Sequence, residues 1–165
     1  MQEETADLIR ILRRQHDLLE TAVDNAKKKQ KAVIRGDISV LENLNMLEME
    51  QVRELGQLEE ERMACVRDLG RVLGISKEDA SLETICSRLG MEERAPLMTL
   101  GQQLSAVISV QMQLNRINEK LINLQLSQIG VMIASLTQSS PSTYTGRGVL
   151  EGEQGEKRGV YDYSA

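Results

Sequence analysis

The chain has 165 residues, 41% hydrophobic and 27% charged, enough for a single core built from a few long helices. It has no Phe and no Trp, and its three tyrosines (Tyr144, Tyr161, Tyr163) all stand at or beyond position 144. Sandwich and α/β cores draw on aromatic area, so a core of Leu, Ile, Val, Met and Ala points to helix-on-helix packing. A net charge of −5 argues against a dedicated nucleic-acid binder, which needs a basic surplus on one face.

Leu8, Ile11, Leu12, Leu18, Leu19, Ala22, Ala26 and Val33 recur three or four apart, which predicts a helix over residues 3–34. Gly36 suits a helix C-terminal cap and Asp37 a new N-cap, so a tight turn follows. The second helix is expected from Ile38 to Leu73. Leu41, Leu44, Leu47, Leu55, Leu58, Cys65, Leu69 and Val72 form its apolar stripe, and glutamates line its wet side. Two helices of similar length joined by a short turn become antiparallel neighbours. Residues 1–36 carry eight basic and six acidic side chains, residues 37–90 six basic and twelve acidic, so the pair should attract.

Residues 75–94 read as a connector with a short helix capped by Ser81 and closed by Gly90. Leu82, Ile85 and Leu89 are its apolar side, and Ser76 with Asp79 could cap an earlier turn. The last long helix is expected from about Glu93, with Pro96 in its first turn, to about Leu136. Leu97, Leu100, Leu104, Val107, Val110, Leu114, Ile117, Leu121 and Leu124 make one stripe. Beyond Lys120 a second stripe of Ile122, Leu126, Ile129, Ile133 and Leu136 leaves this end apolar nearly all round. Met112 and Met132 add adaptable surface. Gly101 and Gly130 each cost the helix about 1 kcal/mol against Ala.

From Gln138 the pattern stops in favour of Ser, Gly and mixed charge, the composition of a segment that cannot offset its ordering entropy by burial. The expected architecture is all-α: an elongated antiparallel bundle of three long helices plus a short connecting helix over residues 1–137. A flexible tail over 138–165 completes it.

Catalytic chemistry finds no footing. Cys65 and Cys86 lack CxxC spacing and read as small hydrophobes in a reducing cytoplasm. His16 is the only histidine, with no ligand at metal spacing, and Glu-x-x-His pairs are absent. No phosphate loop or nucleophile elbow occurs. The basic run of Lys27, Lys28, Lys29 and Lys31 reads as a solvated helix face rather than a nucleic-acid site. The acidic N-terminus is unlike a signal peptide, and polar residues interrupt the uncharged stretch after Lys120, which argues against membrane insertion. No cofactor is expected. Binding remains: partner recognition by the apolar helix end, self-association into a homodimer through it, and a tail that holds every aromatic residue.

The run Leu114-Asn-Arg-Ile-Asn-Glu-Lys-Leu-Ile122, the apolar helix end behind it, and Ser142-Thr-Tyr-Thr-Gly-Arg-Gly148 resemble the FlgN family of flagellar type III export chaperones. The two long opening helices with a Gly36-Asp37 junction agree. Thr145 departs from the pattern, standing between Tyr144 and Gly146 where many members have Gly directly after Tyr. The resemblance implies a cytoplasmic chaperone that holds the C-terminal helical segments of the hook-filament junction proteins FlgK and FlgL before export. Such a segment would lay its apolar side on Leu121, Ile122, Leu126, Ile129, Met132, Ile133 and Leu136. Asn115 and Asn118 match the paired asparagines of the family, with either partner contact or register within the bundle as their role. Tyr144 would dock on the export gate protein FlhA.

Overall fold

A glycine in the left-handed region sets the first reversal of the chain. In the computed structural model, which describes residues 2–138, α1 spans Gln2–Arg35 and α2 spans Ile38–Val72. Between them Gly36 has φ +67°, where a side chain would be strained. The Gly36 and Asp37 amides close the end of α1 on Val33 O and Ala32 O, at 3.1 and 3.0 Å. The Asp37 carboxylate then accepts from the Val40 amide at 3.2 Å and caps α2. The chain continues through α3, Leu82–Arg88, and α4, Met91–Gln138. No strand occurs among the described residues, so the chain is all-α as its composition requires.

Cross-helix contacts give the directions. Lys29 meets Glu48, Arg14 meets Glu54 and Gln15 meets Glu59, so α1 and α2 are antiparallel and the basic first helix faces the acidic second. Asn118 meets Ala26, whereas Leu97, Leu100 and Leu104 share a cluster with Leu8 and Leu12, so α4 runs parallel to α1. The order is up, down, up.

The core is concentrated at one end. Leu8 and Leu12 of α1, Val66 and Leu69 of α2, Ile85, Cys86 and Leu89 around α3, and Leu97, Leu100 and Leu104 of α4 bury one another there. The short α3 closes this end as a fourth element. Ser81 caps it, its hydroxyl accepting from the Thr84 amide at 3.1 Å. Two glycines permit the close approach. A Cβ on Gly70 would lie 3.2 Å from that of Ala80, and one on Gly101 3.4 Å from Leu82 Cδ2. Gly130 has open space instead.

Some expectations need correction. The last helix opens at Met91, so Pro96 lies in its second turn rather than its first and supplies no N–H to the carbonyl one turn back. The expected turn at Ser76 and Asp79 does form, with bonds of 2.7 and 3.2 Å between them. Leu47, Val72, Val110 and Leu124 belong to the expected stripes yet are exposed. By internal contacts the chain divides into two units, Met1–Gln128 and Ile129–Ala165. The first holds α1 to α3 and the body of α4. In the second, helix continues through Gln138. The tail expected over 138–165, with Tyr144, lies outside the described residues apart from that last helical position.

Candidate helix-docking surface

Opposite the closed end no fourth element covers α1 among the described residues, and a groove opens between α2 and α4 with α1 as its floor. Its upper part is a cleft of about 550 Å³ lined by Leu19 and Ala22 below, Gln51, Val52 and Leu55 on α2, and Gln111, Asn118 and Ile122 on α4. Its lower part, about 580 Å³, shares Leu19 and Leu55 and continues past Gln15, Glu59, Leu104 and Ile108 to Gly101 and Leu82. The local sequence explains the gap. Between Ile38 and Gln57 the only buried side chain of α2 is Leu44, and on α4 beyond Leu104 it is Asn118.

Asn118 is 4% exposed and donates from Nδ2 to the Ala26 carbonyl at 2.8 Å. A carbonyl can only accept, so this bond fixes the amide, and Oδ1 is left buried with no partner among the described residues. Gln111 donates to Asn115 Oδ1 at 3.2 Å, and its own Oε1 is likewise buried and unpartnered, as is Gln51 Oε1. All three acceptors belong to residues that line the upper groove.

Apart from Glu119 of α4, which also lines the upper part, the charges along the walls are paired. Lys29 reaches Glu48 at 2.6 Å in the upper part. In the lower part Glu59 receives Arg62 through two nitrogens, at 2.6 and 2.7 Å, and Gln15 Nε2 at 3.2 Å. The Arg62 hydrogen bonds hold the Glu59 carboxyl below the usual carboxylate range, and the same contact raises Arg62. What the groove offers an occupant is apolar surface, neutral acceptors and the Glu119 carboxylate.

The residues predicted to bind a partner fall into three environments. Asn118 is buried and ties α4 to α1 through its bond to the Ala26 carbonyl. Asn115 is exposed, lines the upper groove with Asn118 and Ile122, and accepts from Gln111. Leu121 is half-buried and Leu126 exposed on α4. In the second unit Ile129, Met132, Ile133 and Leu136 are all exposed, with Val131 beside them. The walls that α1 and α2 add escaped the sequence reading. Leu19 and Leu55 stood inside ordinary stripes, and Gln51 and Val52 carried no periodic signal.

Other chemistry is sparse. Cys86 is buried and Cys65 half-buried, both as free thiols, and burial pushes both upward. His16 does have carboxylates near it, contrary to the spacing argument: Asp17 at 3.6 Å and Glu20, one turn on, at 3.9 Å. Side chains four apart share a helix face. Among the described residues these three form a cluster within 4.8 Å, on an exposed surface. No helix among the described residues is long and apolar enough to cross a membrane.

A family model described as "FlgN protein" matches residues 1–152. The chain belongs to the FlgN family. No curated protein and no solved structure matches it. A FlgN-family chain is a flagellar export chaperone in general terms and not a known kind of enzyme. The helical bundle, with an apolar helix end exposed and an open groove between α2 and α4, agrees with a task of binding.

Proposed function

We propose that this chain is a cytoplasmic chaperone that holds the C-terminal helical segments of FlgK and FlgL and presents them to the export gate protein FlhA. The supporting observation is the helix end itself: Leu126, Ile129, Met132, Ile133 and Leu136 are all exposed, and no charged residue occurs from Leu121 to Gln138. An amphipathic segment laid along that face would bury apolar area on both sides, at about 25 cal/mol per Å² before ordering costs are subtracted. Leu121 and Ile122 would extend the contact. Asn115 is available to a partner, whereas Asn118 acts through the register of α4. Tyr144 would serve the gate, leaving the helix end to the cargo, so both could be engaged together.

Calorimetric titration with the C-terminal segments of FlgK and FlgL from the same organism tests this, with light scattering to give the mass of each species. The expected result is a saturable complex with one chaperone per segment. It should be weakened by Ile129→Asp and retained after removal of residues 139–165. Absence of binding by either segment would overturn the proposal. Loss of binding on tail removal would move the cargo site away from the helix.

A further inference from the structure

The groove of the first unit is lined by acceptors that lack donors. Asn118, 4% exposed, keeps its Oδ1 buried and unpartnered, as Gln51 and Gln111 keep their Oε1 atoms. Glu119 adds a carboxylate with no ion-pair partner among the described residues, whereas Glu48 is closed by Lys29. Leu19, Val52, Leu55 and Ile122 supply apolar surface. A fitting occupant therefore brings N–H or O–H donors, a cation and some apolar area. It brings no carboxylate, because an acid there would lose its hydration beside Glu119 with no cation left free to compensate.

The chain beyond α4 contains a segment of this description. Ser142-Thr-Tyr-Thr-Gly-Arg-Gly-Val-Leu150 carries the hydroxyls of Ser142, Thr143, Tyr144 and Thr145, the Arg147 cation, the apolar pair Val149 and Leu150, and no acid. Lys157 and Arg158, the other cations after Gln138, stand among Glu151, Glu153, Glu156 and Asp162 instead. Its distance along the chain suits a return to the groove. From Glu119 to Gln138 α4 rises about 29 Å, and the extended chain from Gln138 to Arg147 spans about 30 Å. We propose that residues 142–150 seat in the groove over α1, Arg147 pairing with Glu119 and the hydroxyls meeting the unpartnered amide oxygens. A tethered segment meets its site at an effective concentration on the order of 1 mM, so an affinity of only about 0.1 mM fills the groove about nine-tenths of the time. Tyr144 is covered together with Arg147, and whatever enters the groove has to displace the segment and uncover that tyrosine. The docking itself does not depend on what Tyr144 goes on to bind.

Digestion of the full chain by an arginine-specific protease, with no partner present, tests the docking. The tail holds two Arg-Gly bonds, Arg147-Gly148 inside the proposed segment and Arg158-Gly159 beyond it. Intact-mass spectrometry gives the initial rate at each, and a synthetic peptide of residues 139–165 gives the same two rates with no groove to enter. Cleavage at Arg147 relative to Arg158 should be about tenfold slower in the chain than in the peptide, whatever the chain concentration. Val52→Lys, at a site 69% exposed, and Glu119→Lys, at another exposed site, each set a cation against Arg147. Each should bring the ratio to within about twofold of the peptide value while helicity stays unchanged. Equal ratios in chain and peptide overturn the proposal. So does protection that survives both variants, which would put the segment elsewhere, and protection that fades on dilution, which would put it in the groove of a second copy. Neither cargo nor gate protein enters the assay, so this proposal and the chaperone reading can fail separately.

Discussion

Asn118 of α4 donates a hydrogen bond to the carbonyl of Ala26 on α1, 2.8 Å away across 92 residues of sequence. It is a buried polar contact, and it lines the upper groove, where no fourth element covers the bundle among the described residues. A leucine there could slide by a turn, but an amide held to one carbonyl cannot, so Asn118 fixes the level at which α4 lies on α1. The same residue leaves an acceptor unpartnered beside the groove. Register and groove thus share one side chain.

Replacement of Asn118 by Ala should destabilise the fold by about 1–3 kcal/mol, the sum of a lost buried hydrogen bond and a small cavity. Asn115→Ala, on an exposed residue three positions earlier, should stay within about 0.5 kcal/mol. Urea unfolding of the two variants side by side checks this. Equal effects would mean that Asn118 does not set the register.

Leu69 and Leu47 stand in the same expected stripe of α2, yet Leu69 is 0% exposed and Leu47 is 50% exposed. Leu69→Ala should therefore cost about 2–5 kcal/mol through the cavity it leaves, and Leu47→Ala almost nothing. Thermal melts of both proteins measure the difference.

That pair also marks how far the sequence could be read. Periodicity gives the helices, and the caps at Asp37 and Ser81 and the turn at Gly36 follow from local chemistry that the sequence carries in full. Which leucines find a neighbour depends on the whole bundle. Leu69 is buried because α3 folds over that end, and Leu47 is exposed because nothing in the first unit does so at the other. The exposed α4 end was legible from its apolar wrap and absent charge. The groove was not, because it is made by three helices together, and Val52 looks no different in sequence from a residue pointing into solvent.

Glu59 links the groove to pH. Its carboxyl is held below the usual range chiefly by Arg62, with Gln15 assisting. A carboxyl lowered in the folded state adds stability that is full above its unfolded-state value. That contribution is lost as pH falls through the folded value. The pair is partly exposed, so solvent screening keeps the effect below about 1 kcal/mol. Glu59→Gln should be slightly less stable than the wild type at neutral pH, and the difference should close in acid. Denaturation midpoints from neutral pH down through the carboxylate range would follow the convergence. A difference that widens in acid would contradict the assignment.

The two thiols give a readout of core opening. Burial raises both, with Asp7 adding to the effect at Cys65 and Arg94 opposing it at Cys86. A raised thiol holds less thiolate at neutral pH, and the thiolate is the reactive form. Both should react with iodoacetamide more slowly than free cysteine. Cys86 packs inside the cluster that joins all four helices, so a reagent reaches it only when that end of the bundle opens. Half-buried Cys65 should be modified first. Peptide mapping by mass spectrometry over time would show the order, and Leu69→Ala should speed modification of Cys86 far more than that of Cys65, because the same cluster guards it. Equal acceleration at both sites would mean that the helices separate along their length instead of opening at the end closed by α3.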